Sequence, residues 1–297
     1  MEALESYLEN DPNYRFIPVG PSSAAGVMAA AFFLLLLAFM YNAIRYRGFL
    51  KFSIFRINLF CAILTAGYIL RIVCNIKLNN PAPTSADVSQ FLTIYIAASA
   101  LTAVGNFVLF LAILSILNNW VSMKRQILDK PQLPRERRFN VAVILLTVVA
   151  LAMTVVGSAL NNNTFRIVGN AIFLFLVLYL LIIVRYYHRV FADSPETIVQ
   201  ASKQHGWASH RHSVQATLAF CLVVLLAAQA FKLAQSVAPV SSPALKSIPV
   251  IYIFGPVLDL IILIVLAATW GPVFHSSIYT KMNEWRDTQL PMGHSPV

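Results

Sequence analysis

The sequence predicts an all-α integral membrane protein: a bundle of seven transmembrane helices with the N-terminus outside and the C-terminus cytoplasmic. Three observations predict it. The 297 residues are 58% hydrophobic and only 11% charged, against roughly 25% charged in soluble domains. Seven stretches stay apolar over the ~20 residues that a helix needs to cross a bilayer. The Lys and Arg residues gather on one side of those stretches, which orients the chain.

The spans read, in order, as 22–44, 54–76, 88–117, 139–160, 167–185, 213–235 and 248–270. They make a transmembrane domain over 22–272, between an extracellular or lumenal tail over 1–21 and a cytoplasmic tail over 273–297. Helices are expected because short segments of alternating polarity, the signature of a membrane barrel, are absent. The N-terminal MEALESYLENDPNYRF is acidic and has no basic n-region, so it does not read as a cleavable signal peptide. Small residues cluster in the first span (Ser22 to Gly26, then Ala29 to Ala31) and the third (Ala97 to Ala100, Ala103, Gly105), where they let helices approach closely. The sequon Asn162-Asn163-Thr164 follows the fourth span in an outside loop too short to favour a glycan. Beyond Pro272, which is expected to close the last helix, Ile278, Met282 and Trp285 are spaced for a short helix lying on the inner leaflet.

Loop charge orients these elements. The loops after the first, third and fifth spans and the final tail hold Arg45, Arg47, Lys51, Arg56, Lys124, Arg125, Lys130, Arg135, Arg137, Arg138, Arg185, Arg189, Lys203, Arg211, Lys281 and Arg286. The opposite side holds Arg15, Arg71, Lys77, Arg166, Lys232 and Lys246. The richer side is expected to be cytoplasmic. All four Trp residues (Trp120, Trp207, Trp270, Trp285) fall on that side, where indoles suit the headgroup level. A net charge of +10 spread over short loops is a topology signal and does not point to nucleic acid.

Several chemistries are excluded or disfavoured. The seventh span has no Lys for a retinal Schiff base, and no G-x-x-x-x-G-K-[ST] loop is present for ATP. Cys61, Cys74 and Cys221 lie inside apolar runs and offer no extracellular disulfide. His205, His210 and His212, with His188 upstream, form one cluster without the second that a membrane di-iron enzyme needs. No Ser or Cys has a base partner for nucleophilic catalysis. The expectation is a protein that is not an enzyme and has no cofactor, metal or catalytic residue.

The informative polar groups lie inside the spans. Asp259 is the one carboxylate within an apolar span, eleven residues after Ile248 and so about 16 Å deep at 1.5 Å per residue. A buried charge there costs at least ~2.5–3.5 kcal/mol and marks a functional position. Arg71 or Lys232 can neutralise it, Asn106 or Asn170 can donate amide hydrogen bonds to it, and a protonated carboxyl or a bound water would also satisfy it. Tyr68, Arg71, Gln229, Lys232, Tyr252 and Asp259 are therefore the candidate lining of a polar cavity in the outer half of the bundle.

Four motifs in chain order carry a resemblance. They are Tyr14-Arg-Phe16-Ile-Pro18, then Gly67-Tyr68 with Arg71, then Phe231-Lys232 with Gln235, then Tyr252-Ile-Phe254 ahead of a closing Gly271-Pro272. With its seven-span layout, the chain resembles the fungal seven-helix lipid-translocating exporter family of the 7-aminocholesterol-resistance type. Leu64, Gln235 and Gly255 stand where that family usually has carboxylates. The resemblance implies partners that are membrane lipids or an amphiphilic small molecule; the expected location is the plasma membrane, with other endomembranes as the alternative. The alternative is a seven-helix receptor that signals to a cytoplasmic partner through its basic loops.

Overall fold

A computed structural model describes residues 20–46, 50–78, 85–127, 134–160, 162–192, 210–238, 242 and 247–280 of the chain. Among the described residues there are only helices, and seven of the helical segments are long and apolar enough to cross a membrane. They are α1 (Ser22–Arg45), α2 (Lys51–Leu78), α3 (Ser85–Ile127), α4 (Pro134–Ala159), α5 (Asn163–Ala192), α6 (His210–Val237) and a composite seventh span. That span joins α7 (Ile248–Tyr252), a π-helical turn (Ile253–Val257), α8 (Leu258–Thr269) and a second π-helical stretch (Trp270–Thr280). The expected all-α bundle of seven membrane-length helices is borne out, while Tyr14, Phe16, Pro18, His205, Met282 and Trp285 lie outside the described residues.

Several helices run past the bounds their hydropathy suggests. At 43 residues α3 is about 65 Å long, twice the ~30 Å hydrocarbon thickness. Polar residues can continue a helix outside the hydrocarbon, so hydropathy sees only its middle. Arg56, expected in a loop, lies within α2 and its Nη1 donates to the Leu111 carbonyl at 3.1 Å. Pro272 does not end the last helix. Proline has no N–H to donate, and the backbone passes it in the wider π form through Thr280.

Consecutive helices pack on each other, and α8 also packs against α1 and α6, which closes the bundle. The α2–α3 pair is antiparallel. Its contacts step from Lys77 Nζ donating to Gln90 Oε1 (2.8 Å), through Gly105 against Leu64 and Phe60, to Arg56 on Leu111. A Cβ on Gly105 would sit 3.0 Å from Leu64 Cδ2, so the small residue sets how closely the two axes approach. The α4–α5 seam uses Gly169 in the same way: a Cβ there would meet Thr154 Oγ1 and lie 2.8 Å from the Ala150 carbonyl. Asn162 caps α5, its Oδ1 accepting from the Thr164 and Phe165 amides at 3.0 and 3.4 Å.

α3 is the central helix. It touches α2, α4 and α5, and from Asn106 to Met123 its side chains are largely buried. α4 is peripheral and turns Val141, Leu145, Val148 and Val149 outward, as a lipid-facing helix does. Trp120 and Trp270 correct an expectation. Neither faces headgroups; both are buried in the protein core, where Trp270 meets Phe39 edge-on at 6.1 Å and Phe274 at 6.0 Å. All three cysteines are buried and unbridged.

Candidate functional site: a polar cavity among α2 to α6 and the seventh span

Asp259 stands in the first turn of α8, two residues after a π turn that contains Pro256. The π turn inserts an extra residue per turn and rotates the helix beyond it, and such turns recur at functional sites. Here the result is an inward carboxylate, 4% exposed. Asn106 of α3 meets it. With its amide oriented as its neighbours require, Asn106 Nδ2 donates to Asp259 Oδ2 at 3.3 Å. Its Oδ1 accepts from Lys232 Nζ and from Gln229 Nε2, both at 2.6 Å. One buried amide thus ties α3 to α6 and α8. Asp259 Oδ1 has no hydrogen-bond partner among the described residues.

Lys232 and Asp259 lie in each other's electrostatic field, yet their contact runs through Asn106 and not as a direct ion pair. Two of the open alternatives for Asp259 are therefore combined: an amide donates to the carboxylate while a cation holds the far side of that amide. Asn170, the other amide considered, is engaged elsewhere. Its Nδ2 donates to Ser236 Oγ at 2.9 Å, and Ser236 Oγ donates to the Lys232 carbonyl at 2.9 Å.

A second group forms the adjoining wall. Tyr68 of α2 stacks on Phe32 of α1 at 5.8 Å and 13° between planes, and its ring lies 6.4 Å from that of Tyr252. The Arg71 guanidinium sits 5.4 Å from the centre of the Tyr68 ring, a cation–π distance, and donates to the Tyr252 hydroxyl. Gly20, two residues ahead of α1, packs on this wall. Gly20 has φ +76°, in the left-handed region, and a Cβ there would sit 2.9 Å from Tyr252 Cε2. Asn75 Nδ2 holds the Gly20 carbonyl at 2.9 Å.

Between these groups lies a cavity of about 200 Å³. Of the six candidates named from sequence, Tyr68, Arg71, Gln229, Lys232 and Asp259 line it. Tyr252 does not appear in the lining; it stands behind Tyr68 and Arg71 and braces them. The cavity also takes Arg166 of α5, which its position next to a loop had hidden, and Thr154 and Ser158 of α4. The two hydroxyls donate to carbonyls one turn back, at 2.8 Å each, so they cost an apolar helix little and leave no mark in its hydropathy. Leu64, Phe107 and Pro256 supply apolar wall, and Gly255 opens a gap in it, since a Cβ there would meet nothing within 4 Å.

Among the described residues no three His, Cys, Asp or Glu side chains gather as a metal site. Comparison with protein-family models, with curated proteins and with solved structures gave no match.

Proposed function

We propose that this seven-helix membrane protein binds lipid-like amphiphiles by their headgroups in the cavity and moves them between leaflets. The observation that carries the reading is a cavity within the membrane-spanning helices whose lining combines Arg71, Lys232 and a half-satisfied Asp259 with apolar wall. Ionisable groups kept at that depth are costly and mark substrate pathways. At about 200 Å³ the cavity is smaller than the ~300–1,000 Å³ that encloses a drug-sized ligand, so it suits a headgroup and leaves the tail outside. The gap at Gly255 is a route for that tail, because the neighbouring Ile253 and Phe254 are exposed on the outer surface of the seventh span. The motifs around Tyr68, Arg71, Lys232 and Tyr252, which resemble those of lipid-translocating exporters, support the same reading, and the plasma membrane is the proposed location.

The test is purified full-length protein in phosphatidylcholine vesicles carrying a headgroup-labelled fluorescent lipid, with dithionite added outside. Faster loss of the inner-leaflet signal than in empty vesicles is expected. Asp259→Asn should slow that loss toward the empty-vesicle rate. Wild-type vesicles that match empty ones would overturn the proposal, and an Asp259→Asn variant as fast as its parent would remove the carboxylate from the mechanism.

A further inference from the structure

We infer that the cavity recognises a phosphate group, as the phosphomonoester head of an acidic amphiphile; the amphiphile part of this inference rests on the proposed function. Among the described residues the lining carries Arg71, Arg166 and Lys232 and one carboxylate, Asp259, a formal excess of two positive charges. Two of these cations keep donors for a ligand. Arg71 has five N–H donors, and its contacts are the face of Tyr68 and the hydroxyl of Tyr252, both neutral. Lys232 has three donors, and its hydrogen bond goes to the neutral carboxamide oxygen of Asn106. Neither touches a carboxylate among the described residues. A phosphomonoester carries about −1.5 to −2 charges near neutral pH with three strong acceptor oxygens, which matches both the excess charge and the donors. In its singly protonated form it also offers one P–OH, and Asp259 Oδ1 is the buried acceptor without a partner among the described residues.

Gly255 provides a clean charge test. It lines the cavity, a Cβ there meets nothing within 4 Å, and its φ lies outside the left-handed region. Gly255→Asp and Gly255→Asn place side chains of the same shape at that wall and differ by one negative charge. The measurement is the affinity of full-length protein, in an uncharged maltoside detergent, for three probes: a short-chain phosphatidic acid, the matching diacylglycerol and inorganic phosphate. Phosphatidic acid is expected to bind at least about tenfold more tightly than diacylglycerol. Gly255→Asp should weaken phosphatidic acid about tenfold relative to Gly255→Asn, while the two variants bind diacylglycerol alike. Lys232→Met should weaken phosphatidic acid as well, but the Asp-to-Asn ratio remains readable if Lys232→Met fails to fold.

The outcomes separate the two ideas. Equal affinity for phosphatidic acid and diacylglycerol, with no Asp-to-Asn difference, overturns the phosphate inference and leaves amphiphile binding standing. Inorganic phosphate binding as tightly as phosphatidic acid, with the same Asp-to-Asn ratio, upholds the phosphate site and overturns the lipid as its source. Binding of none of the three overturns both.

Discussion

In the half of the bundle where α1 ends and the seventh span finishes, Trp270 is fully buried between Phe39 and Phe274, and the Tyr46 ring lies 4.6 Å from that of His275 and against Gly271. Phe110, Ile113 and Trp120 of α3 continue that filling. In the opposite half, at the level of Asn106, helices of the same bundle surround a cavity with one cation, Lys232, and one carboxylate, Asp259, on a shared amide network and a carboxylate oxygen left open. Lipid tails are as apolar as Leu, so burial from water does not drive these helices together; close packing does. The filled half supplies that packing. It allows the other half to keep space and unsettled polar groups that would otherwise weaken the bundle.

Substitutions in the two halves should have different effects. The largest effect on stability is expected from Trp270→Ala. Removing a fully buried indole should cost about 3–5 kcal/mol, read from unfolding in mixed micelles. Below its lowered melting point the variant should still move lipid; a folded Trp270→Ala protein without activity would show that the halves are not separable. Asn106→Leu should cost less, about 1–3 kcal/mol, because Lys232, Gln229 and Asp259 lose their common partner. Its activity should be lost even where the protein is folded, the reverse of the Trp270 result. The smallest effect is expected from Asn75→Ala, which removes the hydrogen bond to the Gly20 carbonyl. A membrane side-chain hydrogen bond contributes about 0.6 kcal/mol, so melting should barely move. A large drop there would mean that the Asn75 side chain supports the polar half by more than this hydrogen bond.

The polar half was the more legible in outline and the less legible in detail. Arg71, Lys232 and Asp259 stand out in the sequence because each is expensive in an apolar helix. Arg166 was missed because it sits one residue before the stretch that reads as a span, where a charge looks like loop. Thr154 and Ser158 were missed because they satisfy themselves on their own helix. In the filled half the error ran the other way. Trp120 and Trp270 match the composition of a membrane interface, and only their burial shows that they pack inward.

From the sequence alone come the class, the seven spans and the place of Asp259 along the seventh, because hydropathy is a local property that each helix carries by itself. Which polar groups meet is not local. Asn106, Lys232 and Asp259 come from α3, α6 and α8, and Asn170 turns to Ser236. Those meetings depend on the rotation and height of each helix. Both are set by contacts between helices, such as Gly105 on Leu64 and Gly169 on Thr154. In the seventh span the π turn at Pro256 shifts the phase of everything after it by roughly 100°, one residue of a 3.6-residue turn. A regular helix through the same sequence would aim Asp259 elsewhere, so its place on Asn106 was decided by the tertiary structure.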